Sequence, residues 1–568
     1  MLRINLLKVL LITVGSLFLI AACGGSSSEP TLATQPTPVV EKTEEPTQQN
    51  GTTTVSPIAT SKGDSGGGKL VRLYIDPPTL DPHLTTDATS AQIIIEVFGG
   101  LVTIDRDLNI VPDLAEDWEI SYDGRVYTFF IRPDATFHNG KPVTAEDVRW
   151  SLERATNPLT ESPVVDQYLG DIVGVKEKLN GDAETISGIK VIDPKTLEIT
   201  IDASKSYFLA KLTYPTGFVL DRENIEADPK RWFRRPNGTG PFRLTQYDVG
   251  ETMVLSRFAN YHLGPPLLEE VEMILSGGTS MLMYENDEIH VSGIGLADLD
   301  RILDPGNSLN AELLQAPPTF SIQYIGLNVN EPPLDDVKVR QALNLAIDKQ
   351  NLASSVLADQ VVPANGILPP GFPGFNPQLR GYEFDPERAR QLLAESKYGD
   401  DLDNFPPITM TTSGSFGATV SLDMEVVLQM WKKNLGIEAE FQQTEFATFL
   451  KDLHKRRFQM FDIGWIADYP DPENFLDILF HSESSNNHTN YSNPQVDALL
   501  EQARTETDEA LRFRLYNQAE QIIVDDAPWV PLWYSGERYL LVKPNVHDYY
   551  LTPLYIPRLR YVYLTDEE

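Results

Sequence analysis

The residues best placed to do chemistry crowd into 465–475 (WIADYPDPENF), which holds the carboxylates Asp468, Asp471 and Glu473. A carboxylate enclosed by protein is costly unless it meets a positive charge, so Asp468 suits capture of a cationic group; losing one partner of such a pair typically costs about 3 to 5 kcal/mol. Asp468 could instead merely begin the turn at Tyr469 and Pro470. Asp471, followed by Pro472 and an apolar run to Phe480, reads as a helix N-cap with proline in the first turn. As a set, Asp468, Asp471 and Glu473 could ligate calcium, but they lack the ligand run and glycine of an EF-hand. His481 and His488 could hold a transition metal, although their spacing is not the i, i+4 of a helical pair. The eight histidines are scattered, and no glycine-flanked serine sits in a strand-turn-helix context, which leaves a hydrolase without nucleophile and base. Residues 63–67 (GDSGG) match the nucleophile sequence of trypsin-like proteases, but in a polar segment with no flanking strand pattern. No Gly-rich loop ending in Lys-Ser or Lys-Thr occurs, so the sequence offers no P-loop for ATP.

The start of the chain reads as an address. Arg3 and Lys8 precede a mostly apolar stretch, 9–20, of signal-peptide length and short for a membrane span. Ala21, Ala22 and Cys23 follow, a small-residue cleavage site before the only cysteine of the chain. One cysteine cannot form an internal disulfide. The arrangement resembles the bacterial lipobox, which implies a signal peptide over 1–22 and lipidation of Cys23. Residues 24–68 are rich in Ser, Thr, Pro, Gly, Gln and Glu, a composition that cannot offset its ordering entropy and reads as a disordered tether.

The elements that must position the acidic run lie in the ~500 residues from Lys69 onward, enough for two or three lobes. Strands are expected at 69–75, 126–131, 188–192, 197–201, 253–258, 320–328 and 437–441. Helices are expected at 90–98, after a Thr144 cap, and at 337–347, 422–435 and 510–524. Strands alternating with helices imply an α/β fold with mixed sheets. The net charge of -36 and pI near 4.5 favour solubility and argue against a nucleic-acid partner, whose phosphates require a basic face.

Six blocks, at 80–83 (LDPH), 111–118 (VPDLAEDW), 137–148 (FHNGKPVTAEDV), 238–242 (GTGPF), 336–342 (DVKVRQA) and 465–475, occur in one order along the chain. Together they resemble the extracellular solute-binding family 5, whose best-known members are the oligopeptide- and dipeptide-binding proteins of ABC transporters. The resemblance implies a two-lobed periplasmic-binding-protein-like fold of type II, with a hinge-bending cleft. It places lobe 1 at 69–315, with an extra subdomain at 105–184, lobe 2 at 316–530, and a return to lobe 1 at 531–568. Pro317 with Pro318, and 528–533, would be the crossing segments.

By the same resemblance Asp468 pairs with the α-ammonium of a peptide. Trp465 and Ile466 lie on the strand approaching it, where an extended ligand could hydrogen-bond as an added strand. Ala88 matches a backbone-contact position, Asn486 and Asn487 lie near another, and Trp533 and Tyr534 line the cleft. The basic residues that hold a short peptide's carboxylate fall at Leu357, Val420 and Asp462, none of which can neutralise it; a tyrosine that holds the peptide chain falls at Val164. A longer peptide or a cationic solute therefore fits better than a short peptide gripped at both ends, and a sugar stacked on Trp465 and Trp533 is the runner-up. The partners expected are that solute, ABC permease subunits with separate ATPases, and the membrane through the lipid anchor. The chain is expected to be an extracytoplasmic monomer without cofactor or metal.

Overall fold

Period-two alternation builds the first sheet. In Val126–Ile131 (VYTFFI) every second side chain is buried, and this strand lies between Ala115–Ile120 and Thr196–Thr200, with Ile189–Asp193 at the edge. Helix Ala145–Ala155 sends Val148 and Leu152 into the same core as Phe129 and Leu197. Thr144 caps it in a capping box with Asp147, as its sequence requires. The molecule is known from a computed structural model that describes residues 67–414, 421–554 and 558–565. The expected signal peptide, Cys23 and nearly all of the tether lie outside the described residues, as does Val420.

Two larger sheets complete the architecture. One has seven strands in the order Leu313–Ala316, Arg538–Val542, Val291–Gly293, Lys69–Leu73, Glu270–Ile274, Thr252–Arg257 and Phe242–Asp248. The other has six, in the order Val361–Pro363, Trp529–Ser535, Ser321–Leu327, Met460–Ile466, Ile408–Ser413 and Ala439–Thr444. Both mix parallel and antiparallel pairs. The four- and seven-stranded sheets form the first lobe and the six-stranded sheet forms the second, an α/β two-lobed fold. Among the described residues no helix is long and apolar enough to cross a membrane.

The chain passes between the two large sheets twice. The first passage joins Leu313–Ala316 to Ser321–Leu327 through Pro317 and Pro318, where it was expected. The second follows Ser535 and runs through Gly536 and Glu537. Residues 528–533 are therefore not the crossing: 529–533 belong to a strand of the six-stranded sheet, because the run WVPLWY is apolar on both faces and is buried there.

Most of the sequence blocks turn out to be scaffolding. Asp81 accepts two hydrogen bonds from Arg154, at 2.6 and 3.1 Å, and Arg154 also meets His83 Nδ1 at 2.8 Å. This ties the loop before helix Ala88–Val97 to helix Ala145–Ala155. Asp113 meets His262 Nε2 at 2.8 Å. Asp336 accepts from Lys338 N at 2.8 Å and caps helix Val337–Leu345. Gly238 must be glycine, since a Cβ there would stand 1.9 Å from the Val97 carbonyl. Only the block at 465–475 reaches the space between the lobes.

Candidate functional site

The strand Met460–Ile466 runs antiparallel to Ser321–Leu327 over its whole length. On its other side Ile408–Ser413 pairs with it only at Met460 and Phe461. From Asp462 to Ile466 that edge has no strand neighbour among the described residues, so it can accept an extended chain. Beyond the strand, Ala467 N still donates to Phe320 O at 2.8 Å, and Asp468 follows.

Asp468 is held from both lobes. Asn474, in the first turn of helix Glu473–Phe480, accepts from Asp468 N at 3.0 Å and donates to its Oδ2 at 3.0 Å. Tyr168, from the first lobe, donates to the same Oδ2 at 2.5 Å. Among the described residues no donor reaches Oδ1, and no cationic side chain pairs with the carboxylate. Burial pushes the Asp468 carboxyl up to about 6, against the lowering effect of the Asn474 and Tyr168 hydrogen bonds. Tyr168 stacks on Tyr214 with ring centres 3.8 Å apart and meets Tyr469 edge-on at 6.5 Å.

Asp468 opens onto a cavity of about 670 Å³ between the lobes. The first lobe contributes Ala88, Thr89 and Tyr214; the second contributes Ile322, Phe446 and the strand from Asp462 onward; Gln360 and Ser535 lie near the crossing. Its lining carries four aspartates, Asp87, Asp105, Asp462 and Asp468, against one cation, Arg558. Burial also raises Asp462, to about 6, with Gln323 and Thr412 hydrogen bonds opposing and the like charge of Asp423 assisting.

Beside the cavity the lobes are joined by a buried ion pair. Lys211, from the first lobe, lies 2.8 Å from Glu473 and 3.0 Å from Asp171, and the Lys211 and Glu473 side chains are each 4% exposed. Burial alone would lower the Lys211 ammonium, but Asp171 and Glu473 outweigh it and hold the group charged. Ser485 donates to Pro163 O across the same boundary at 2.9 Å.

The structure gathers Asp468, Trp465, Ile466, Ala88 and Trp533 on one cavity. Tyr534 lies outside its lining, buried where its hydroxyl accepts Gly366 N at 3.0 Å. Alternation along Trp529–Ser535 explains this, because neighbours on a strand face opposite ways. Asn486 and Asn487 are also buried away from the cavity; Asn487 spends its amide on Tyr491 O at 2.7 Å and His481 O at 3.3 Å, bracing its own loop. Leu357 packs against the second lobe's core and Val164 is buried. Tyr168, four residues beyond Val164, brings a hydroxyl to the site. Asp471 accepts Glu473 N at 3.0 Å and pairs with Arg512, a local bracing role close to the expected cap.

The three carboxylates of the block thus face three different partners rather than one point. His488 meets His454 at 3.2 Å rather than His481, and burial holds it well below the ordinary imidazole range. Among the described residues no group of three or more His, Cys, Asp or Glu is placed to hold a metal. Sequence reasoning missed Tyr168, Tyr214, Asn474 and Lys211. Asn474 alone carried a local signal, lying within the acidic block; the others come together only through the tertiary fold.

A cavity between two lobes, with an open strand edge along its wall, is the arrangement of a solute-binding protein. The chain belongs to the bacterial extracellular solute-binding proteins, family 5, whose middle-region model matches residues 109–487. It is 32% identical to the periplasmic oligopeptide-binding protein of Escherichia coli over 498 residues, 83% of this chain and 87% of that one. It is also 32% identical to a probable deoxycholate-binding periplasmic protein of the same organism, over 86% of this chain and 91% of that one. The murein tripeptide-binding protein of E. coli superposes with a TM-score of 0.80 at 27% identity, covering 89% of this chain and 99% of that one. Its unliganded open form, at 26% identity and covering 89% and 98%, reaches only 0.62. The lobes here stand closer to the former arrangement.

Proposed function

We propose that the protein captures extracellular peptides between its lobes, holding the peptide's α-ammonium on Asp468, and delivers them to an ABC permease while anchored to the membrane through acyl chains on Cys23. The observation that carries the reading is Asp468 itself: an enclosed carboxylate on the cavity wall that, among the described residues, has one oxygen without a donor, no cation to balance it, and a strand edge without a neighbour leading to it. Main-chain pairing along that edge is indifferent to side-chain identity, which suits a carrier of mixed peptides. The names of two relatives, which bind oligopeptides and murein tripeptide, support the same ligand class. Acyl chains contribute about 0.8 kcal/mol per buried methylene and would hold a monomer at the membrane face without spanning it.

The reading is tested by native mass spectrometry of protein purified without denaturant. Retained peptides with free amino termini are the expected cargo. A sterol-like acid, as named for one relative, or a glycan, would reject the peptide while leaving the carrier.

The carboxylate also sets a pH dependence. Asp468 faces Tyr168, Tyr214, Tyr469 and Asn474, with Asp87 and Asp462 elsewhere on the cavity. A peptide cation requires the ionised form, and protonation in the free protein near pH 6 competes with it. For a peptide whose only cation is its amino terminus, affinity is expected to be level above about pH 7. It then falls by up to about tenfold per pH unit below 6. Calorimetric titration from pH 7.5 to 5 checks this, and a flat profile would contradict it.

A further inference from the structure

We propose that the cleft holds a second cation-binding site at Asp462, so that the preferred cargo is an extended peptide carrying lysine or arginine about five to seven positions after its amino terminus. This rests on the peptide reading above and adds a charge preference to it.

Asp462 lies on the strand Met460–Ile466 and Asp468 two residues beyond its end, and both line the cavity. At a rise of about 3.3 Å per residue the strand covers about 13 Å from Asp462 to Ile466, and Asp468 stands at most about 20 Å from Asp462. An extended ligand on the open edge advances at the same rise, so an amino terminus on Asp468 brings a position between the fifth and the seventh level with Asp462. The flexible stems of lysine and arginine widen that window.

The surroundings of Asp462 give it two neutral donors and, among the described residues, no cation to balance its charge. Gln323 Nε2 donates to Oδ1 at 2.6 Å and Thr412 Oγ1 donates to Oδ2 at 3.4 Å. Both donors are neutral, and they arrive from the strands on either side. The charged neighbour that acts on it is another carboxylate, Asp423. Among the described residues no Lys, Arg or His pairs with it. The other two aspartates of the lining differ. Asp87 accepts Ser90 N at 2.8 Å as a helix cap, and Asp105 accepts Asp107 N at 2.9 Å and Asn109 N at 2.8 Å in a turn. Arg558 donates to Thr103 at 2.8 Å, within the first lobe. An enclosed, uncompensated carboxylate favours an ammonium or guanidinium and repels a peptide carboxylate or an acidic side chain.

The test is a positional scan. Alanine heptapeptides with free amino and amidated carboxyl termini carry one lysine, or the uncharged norleucine, at each of positions 2 to 7, and binding to the full mature chain is measured by calorimetry. Lysine is expected to bind at least tenfold more tightly than norleucine at one or two adjacent positions between 5 and 7. The advantage should vanish in Asp462→Asn, while the preference for a free over an acetylated amino terminus persists. No lysine advantage at any position, or one that survives Asp462→Asn, overturns the proposal and leaves the peptide reading intact. If Asp462→Asn fails to fold, the scan on the unaltered protein still decides. If none of the peptides binds, the peptide reading falls and takes this site with it.

Discussion

Asp468→Asn is expected to weaken binding of a free-amine peptide by about a hundred- to a few-thousandfold and to leave its N-acetylated counterpart nearly unchanged. The substitution keeps the side chain's shape and an acceptor for Tyr168, but removes the charge that faces the cavity. Breaking an enclosed ion pair by deleting one partner costs about 3 to 5 kcal/mol, and each 1.4 kcal/mol is a factor of ten in affinity. The acetylated peptide never forms the pair, so its loss isolates whatever the mutation does to shape alone. Calorimetry on both peptides with both proteins closes a double-mutant cycle. Equal losses for the two peptides would remove Asp468 from ammonium binding.

Glu473→Gln should act differently, weakening every cargo alike. Glu473 and Lys211 meet at 2.8 Å across the lobe boundary, nearly excluded from solvent. When the lobes part, each can rehydrate; when they close, each depends on the other. Lys211 keeps Asp171 in either state, so the loss is that of one charged hydrogen bond, about 1.5 to 3 kcal/mol, and falls on the closed state alone. A ligand stabilises closure only through contacts that differ between the two states. A variant biased towards opening should therefore bind free-amine and acetylated peptides about ten- to a hundredfold more weakly, in equal measure. Small-angle scattering of the ligand-free protein should show a larger radius of gyration. Unchanged affinity with an unchanged radius would show that the pair contributes nothing to closure.

These two residues mark how far the sequence could be read. Local rules placed many elements closely: Val126–Ile131 alternates as a half-buried strand must, and Leu422–Leu435 ends at Gly436 in the left-handed region, as a helix with glycine after it should. The fold class followed from blocks distributed along the chain. The place of Asp468 on the cavity was legible because its neighbours resemble a known pattern, not because one aspartate before a turn differs from another. Its partner Tyr168 lies 300 residues away, and no periodicity or composition signals a contact of that kind. The role of Glu473 was hidden for the same reason, since Lys211 comes from the other lobe. Tyr534 was misplaced although a local rule was available: alternation in the strand sends Trp533 to the cavity and Tyr534 away from it. Asn486 and Asn487 were read from nearness to a pattern, and the loop they brace needs their amides for itself.

A crystal structure of the protein with a bound free-amine heptapeptide tests the central claim most directly. The peptide's terminal nitrogen should lie about 3 Å from the Asp468 carboxylate, with its main chain paired along the open edge from Asp462 to Ile466. A peptide whose amino end lies elsewhere in the cleft, or one bound outside it with the cavity empty, would contradict the account.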